Sequence, residues 1–456
     1  MKASRKYPKH TFIAGREPLI SQSGLALLTS TGWASGLIPA LREALAPWEL
    51  PRATHHPADV LLDLALSLAA GGDCLADVAL LRAQPELAGP VASDATVSRT
   101  LARLASDADA VLAAIDRARA AARARVWQQA PARALPTGTV TIDLDASLVT
   151  AHSDKEQAGP TFKRGFGFHP MLSFADHGPA GTGEPLAMLL RTGSAAANDA
   201  TDQIAVIDAA LAQLPEGRRA DVLIRGDTAL GVKEVLAHIS ELGLRYSCGV
   251  YARQPIQDAL AVLPASAWQP AINANGADRE HAQVAELTAF LPATFVGWPA
   301  GMRVIARREL PHPGAQLRIT DLNGWRVTVF ATNTPARDGW TLAELEARHR
   351  LRARCEDRIR AAKNTGLANL PLHDYDSNRL WLALVALATE LLVWTATLAW
   401  PEHPARRWEP DTLRLHVLHV AARLIRSGRR EHLRLPRAWP STALIIGAQQ
   451  HLATHH

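Results

Sequence analysis

The sequence predicts an α+β chain: a helical N-terminal part, then a mixed sheet that alternates with helices and is interrupted by further strands. Three observations predict it. Residues 58–106 carry apolar side chains at helical spacing, with Gly stops. From Thr137 the apolar period drops toward two, and the segments run three strands, helix, strand, helix, strand. Residues 252–335 break that alternation with strand-like segments in a row.

The chain has 456 residues, enough for two to four domains at about 100–200 residues each. Hydrophobic residues make 48% and charged residues 20%, which excludes a disordered chain. Cys74, Cys248 and Cys355 lie far apart with no CxxC, which excludes a disulfide scaffold and a Cys-based zinc site and fits a reducing cytosol. The net charge of +5 is compatible with a polyanionic partner. The basic start MKASRKYPKH is followed by no apolar h-region, so no secretory signal is expected.

Residues 1–57 form a basic N-terminal segment. ADVLLDLALSLAA reads as a helix stopped at Gly71-Gly72, and CLADVALLRAQ as a second. SDATVSRTLARLAS is a third, with Ser93 or Asp94 as N-cap and Val97, Leu101 and Leu104 on one face. Two helices and a capped third suggest a helix-turn-helix over 58–135, with Ser98 and Arg99 placed to touch DNA. The linker is longer than usual, and an ordinary helical bundle is the alternative. The Ala/Arg-rich helix 112–133 reads as a linker.

The strands TVTIDLDASLVT, FHPMLSFAD and EPLAMLLRT come next, then helix 198–215, strand ADVLIRGD, helix 231–243 and strand LRYSCGVY. That order fits a ribonuclease-H-like core, first part 137–251. No GxGxxG or GxxxxGK[ST] points to a nucleotide-binding domain. RVIARREL, AQLRITD and WRVTVFATN look like a separate small β insertion, 252–335, carrying Trp298 and Trp325 as core or base-stacking residues. The second part of the core spans 336–402. Its stretch LWLALVALATELLVWTATLAW has membrane-spanning length. A carboxylate at its centre, Glu390, favours a buried core helix, and no membrane partner is expected. Residues 403–456 form a basic C-terminal region, whose Arg run, including Arg426 and Arg430, reads as a phosphate-tracking surface or a solvated helix face.

Asp145 and Asp227 sit at the ends of apolar strands, where a sheet can aim carboxylates at a site beyond its edge. Glu356 lies on the helix HRLRARCEDRIRAAK. On a continuous helix His349, Arg352, Glu356 and Lys363 share an arc of about 60°. Such a strip can hold a metal and phosphates together, or it can be a surface helix with i,i+4 pairs. Asp143 lies two residues before Asp145, on the same face of the strand, and is its rival. Lys163, Arg164 and His169 fall in a hairpin near the first acid, as DNA contacts or solvated residues.

His349-x2-Arg352-x3-Glu356-x6-Lys363 resembles the Y-x2-R-x3-E-x6-K signature of bacterial insertion-sequence DDE transposases. GGDCLADVALLR, VASDATVSRTLARLA, IRGDTAL and AARLIRSGRREHLRL look like one branch, insertion-sequence family thirteen-eighty. The family's D-x-[ST] pattern selects Asp145, and IRGDTAL matches its second acid.

The resemblance implies a ribonuclease-H-like core with a β insertion between the second Asp and the Glu. Asp145, Asp227 and Glu356 would be catalytic and would bind two Mg2+ ions, with Mn2+ as a substitute. Arg352 and Lys363 would contact phosphates, assisted by His349, which departs from the family's Tyr. It also implies cutting at transposon ends and joining of the 3′-hydroxyl to target DNA. The partners would be double-stranded DNA, as terminal inverted repeats and target, and a second copy in a homodimer on DNA, in the bacterial cytoplasm. The alternatives are a transposase-derived DNA-binding protein that does not cut, and a structure-specific nuclease on the same fold.

Overall fold

The computed structural model describes residues 19–456 except 133, 180, 292–293, 312–313, 315–320, 322–323, 429 and 456. Apolar runs build α1 (Leu25–Ala34), α2 (Leu37–Leu45) and α3 (Pro57–Ala69). Pro57 opens α3, and His56 Nδ1 accepts the Ala58 amide at 3.1 Å. α4 (Asp94–Ala105) starts at Ser93, whose side chain accepts the Thr96 amide. α5 (Ala108–Gln129) follows.

Strands β1 (Val140–Ala146), β2 (Met171–Ala175) and β3 (Glu184–Leu189) come next. After them run α6 (Ala200–Gln213), β4 (Val222–Gly226), α7 (Lys233–Glu241) and β5 (Arg245–Val250). The interrupting segment contributes α8 (Gln254–Val262), β6 (Gln269–Ile272), β7 (Asp278–Glu286), β8 (Arg303–Glu309) and β9 (Arg326–Thr332). Most of the expected strand AQLRITD lies outside the described residues. The last elements are α9 (Leu342–Arg350), α10 (Arg354–Ala362), α11 (Tyr375–Ala399), β10 (Ala422–Ser427), β11 (Arg430–Arg434) and α12 (Thr442–Ala453).

Nine strands make one mixed sheet in the order β6-β7-β8-β9-β5-β4-β1-β2-β3. β1 runs parallel to β4, and β4 parallel to β5. The other neighbours are antiparallel. The β insertion is therefore not a separate unit: Val329–Thr332 pair with Val250–Ser247 and extend the main sheet. The physical reason is that β5 would otherwise present an open edge of unpaired amides and carbonyls.

The period of two sorts the sheet faces. Val140, Ile142 and Leu144 of β1 pack with Ile207 of α6 and Leu236 of α7. On the opposite face, Leu172 and Phe174 of β2 share a larger core with the N-terminal helices, α10, α11 and α12. The helices of 58–135 bury their apolar faces in this same core, so the core has no boundary where a free-standing helical domain was expected.

Helix α11 lies at the centre of that core. Its most apolar stretch meets the length and hydropathy of a membrane span, yet 94% of it is buried within the fold. Trp381 and Trp394 are fully buried there. Glu390, also fully buried, is answered by α5: Arg119 donates to its two oxygens at 3.0 Å and 3.0 Å, and Arg123 pairs with Oε1. Arg123 Nε also reaches Glu184 on β3 at 3.0 Å, and the indoles of Trp127 and Trp394 donate to the same carboxylate at 2.6 and 2.5 Å. Burial pushes the Glu184 pKa up, but the Arg123 charge, then His177 at 3.0 Å and the Trp394 indole, overcome it and hold the carboxyl well below its usual range. Far from being a linker, the Ala/Arg-rich helix is a keystone. Its small Ala residues allow close packing, and its two buried guanidiniums neutralise carboxylates from two other layers.

Replacing Arg123 with Met should leave Glu184 without its closest guanidinium and Glu390 with Arg119 alone, at a cost of about 3–5 kcal/mol. Urea unfolding of the full chain measures it; a loss under about 1 kcal/mol would show that the network is not stabilising the packing.

Candidate active site

Parallel pairing puts the first two acids side by side. Leu144 of β1 is in register with Gly226 of β4, and one residue further the chain reaches Asp145 and Asp227. Asp145 Oδ1 accepts its neighbour Ala146 amide at 2.8 Å, and Asp227 Oδ1 accepts the Ala229 amide at 2.8 Å. Both acids line a cleft of about 130 Å3 together with Phe162, His169 and Gln203. Glu356, in the first turn of α10, is not part of that lining, and its side chain is 66% exposed.

Asp145 senses the other two carboxylates. Burial pushes the Asp145 pKa up to about 6; the charges of Asp227 and Glu356 add to the rise, and Arg352 opposes it. A carboxylate destabilised by burial first and by neighbouring acids second belongs to the kind of oxygen donor set that a hard dication relieves. In this state the oxygens of the three acids do not all converge within 4.8 Å; the set that does, among the described residues, is Asp73, Cys74 and Asp77. There Asp77 Oδ2 accepts the backbone amides of Asp73 and Cys74 and acts as a cap.

A second layer of charge lies beneath the acids. Asp143, on the same face of β1 as Asp145, is fully buried. Arg225 of β4 grips it at 2.6 and 2.9 Å, and Arg358 of α10 at 2.5 Å. Asp176, just after β2, accepts from Arg225 at 2.9 Å and is ion-paired with Arg358 at 2.8 Å and Arg354 at 3.0 Å. Burial raises the Asp176 pKa, but the three guanidiniums, Arg358 foremost, carry it below the usual carboxylate range. Arg225 further donates to the Arg348 carbonyl of α9 at 2.7 Å. Asp143 is thus taken up by structure, whereas Asp145 is left facing the cleft. Sequence reasoning missed Arg225 and Arg358. The signal was available for Arg225: a cation inside the apolar strand VLIRG needs a buried anion.

The cations divide. Arg352 reaches Asp145 at 3.3 Å and Glu356 at 3.7 Å. Lys363 donates to the Leu148 carbonyl at 3.1 Å; burial, then the charge of Lys163, pushes its pKa down. Lys163 and Arg164 are exposed in the loop before Phe166, and the Lys163 charge is felt at Lys363. His169 is held by the Ala195 carbonyl at 2.8 Å. His349 does not join them. Its ring stacks on Phe330 at 4.6 Å, and Nδ1 is 2.9 Å from Ser247 Oγ. Burial, followed by neighbouring guanidiniums, pushes its pKa down to about 3, so it is neutral at pH 7. The reason is a break: residues 351–353 form a 3₁₀ turn between α9 and α10, so 100° per residue does not hold from His349 to Glu356.

Ser98 and Arg99 are exposed on α4, while Val97, Leu101 and Leu104 face inward. Arg426 and Arg430 lie on a β-hairpin rather than a helix, joined at its edge by residues Leu19–Ile20. Arg426 pairs with Glu431 at 2.8 Å, and both arginines are exposed. Trp325 stacks on Arg308 at 4.7 Å, and the other face of the patch is Trp268, 4.1 Å from the same guanidinium. Trp298 meets Phe295 edge-on.

The raised pKa has a stability consequence. A folded-state value near 6 against about 3.9 unfolded means that Asp145 contributes stability below pH ~3.9, which is lost as pH rises through about 6. At pH 7.5 and without divalent ions, Asp145→Asn should therefore be the more stable chain, by about 2 kcal/mol. The gain should shrink toward zero near pH 3. Denaturation at the two pH values checks it, and equal stabilities at pH 7.5 would contradict the crowding of charge.

Residues 12–456 match the family described as Transposase DDE domain group 1. No curated protein sequence matches the chain. Among solved structures the chain is similar to the piggyBac transposase synaptic complex with hairpin DNA, determined by cryo-EM. The TM-score is 0.41 and the identity 8%, over 88% of this chain and 80% of that one. With nearly its whole length matched, the chain belongs to the DDE transposase family.

Proposed function

We propose that this chain is a transposase that cuts DNA at transposon ends and joins the freed 3′-hydroxyl to target DNA, with two divalent ions held by Asp145, Asp227 and Glu356. The observation that carries the reading is the parallel register of β1 and β4, which sets Asp145 beside Asp227, with the charge of Glu356 on α10 felt at Asp145. The strand order β3-β2-β1-β4-β5, with parallel pairs only at β1-β4 and β4-β5, supports a ribonuclease-H-like core. The finer placement beside insertion-sequence family thirteen-eighty rests on the sequence motifs alone.

The carboxylates fit Mg2+, which demands hard oxygen ligands and keeps few from protein. Bound there, a pair of such ions supplies activation of the attacking oxygen and charge stabilisation of the leaving one. The chain's own residues do the rest. Lys363, Lys163 and Arg164 bind backbone phosphates at the rim of the cleft. Arg352 carries a guanidinium within reach of the bond to be cut. Ser98 and Arg99 on the outer face of α4 read or grip the transposon end. Arg426 and Arg430 extend the basic track along the hairpin. Joining two ends at once calls for a second copy, assembled on DNA.

On a supercoiled plasmid carrying the element's ends with Mg2+, Asp145→Asn, Asp227→Asn and Glu356→Gln should each cut nicking by about a thousandfold or more, as for groups that act as one unit. Their DNA binding should survive. A residue whose variant nicks undiminished does not belong to the site, and a wild-type chain that binds ends but never nicks them with Mg2+ or Mn2+ is a binding protein only. Arg426→Ala and Arg430→Ala should each lower the slope of log K against log salt by about 0.9 on duplex DNA; unchanged slopes would remove the hairpin from the interface.

A further inference from the structure

Arg352 spans two acids of the site. One terminal nitrogen, Nη1, is 3.3 Å from Asp145 Oδ2, and the other, Nη2, is 3.7 Å from Glu356 Oε1. A single guanidinium thereby ties a sheet carboxylate to a helix carboxylate, with its positive charge where the donor set would place a dication. The tie is loose. Charge-assisted contacts of this kind close to about 2.7–2.9 Å, and the buried Asp143–Arg225 pair a layer below does so at 2.6 and 2.9 Å. Arg352 is also half-buried, with 24% of its side chain exposed, and it sits in the 3₁₀ turn between two helices. Nothing bolts it in place as Asp143 and Asp176 bolt Arg358.

We propose that Arg352 is an internal counter-cation of the acid site. In the DNA-free chain it occupies Asp145 and Glu356. A DNA phosphate then draws it away, so that DNA binding and divalent-ion binding promote each other. This rests on the reading of the three acids as the metal site. The physical basis is competition. A guanidinium between two carboxylates uses the lone pairs that an ion needs, and it repels the ion. A phosphodiester offers the same planar fork a bidentate partner at the rim. Coupling of this kind is reciprocal, since whatever DNA does to ion affinity, the ion does to DNA affinity. The consequence is a chain that holds its ions poorly until substrate is present.

The test counts bound Mn2+ by electron paramagnetic resonance on the full chain, with and without a short random-sequence DNA duplex. Four proteins are compared: wild type, Arg352→Gln, Arg352→Lys and Asp145→Asn, with thermal melts to confirm folding. Without DNA, Arg352→Gln should bind Mn2+ about tenfold more tightly than wild type. Added duplex should tighten wild-type binding by a similar factor and leave Arg352→Gln nearly unchanged. Arg352→Lys, which keeps the charge but not the fork, should fall between them. Equal affinities of wild type and Arg352→Gln without DNA would overturn the proposal. So would an equal gain from DNA in both, because Arg352 would then act only as background charge. In either case weaker binding by Asp145→Asn would leave the acids standing as the metal site. If no protein takes up Mn2+ under any condition, the metal reading itself fails, and this proposal with it.

Discussion

Everything at the site depends on one buried carboxylate that cannot touch a substrate. Asp143 is held by a guanidinium from the neighbouring strand, Arg225, and by another from the helix above, Arg358. Taking any one of these charges away strands the others in a low-dielectric interior, where an uncompensated ion costs several kcal/mol. The helix that carries Glu356 is therefore clamped to the strands that carry Asp145 and Asp227 by an interaction with few alternatives. Hydrophobic contact of Cys355, Ile359 and Ala362 brings α10 onto the sheet, but apolar packing is tolerant of small slides. The bidentate geometry of Asp143 with Arg225 is not, and it fixes the register of the cluster.

The same logic recurs across the sheet. Glu184 and Glu390 are both fully buried, and Arg119 and Arg123 answer them from α5. Two charge networks thus join three layers: one orders α10 against the sheet, the other orders the N-terminal helices against α11. Such networks contribute little net stability compared with apolar residues of the same volume. What they supply is uniqueness of packing, which a cleft built from distant residues requires.

Much of this was legible in the sequence. The period of two in TVTIDLDA placed Asp143 and Asp145 on one face, and the strands and helices from 140 to 250 lie within a few residues of their expected limits. Asp145 and Asp227 line one cleft because strand ends are local properties, and Glu356 lies outside its lining on the exposed first turn of α10. Pairings were less legible. That β9 would add to β5 is decided by an open sheet edge, which no local pattern reveals. His349 was misplaced because LRA at 351–353 contains no Gly or Pro to announce the 3₁₀ turn. The helix 108–129 was taken for a linker because Ala and Arg are common on exposed helices, and only Glu390, 271 residues beyond Arg119, reveals what two of its arginines are for.

That separation bears on how the protein is made. Contacts between residues far apart in the chain form late and slowly, because a long loop must close before they are gained. The first helices leave the ribosome with Arg119 and Arg123 unanswered, and Glu390 of α11, the apolar partner they cover, follows 271 residues after Arg119. Until then the nascent chain exposes a greasy layer and two stranded cations. A chain cut off before α11 therefore has no finished core and leaves Arg119 and Arg123 without the Glu390 carboxylate.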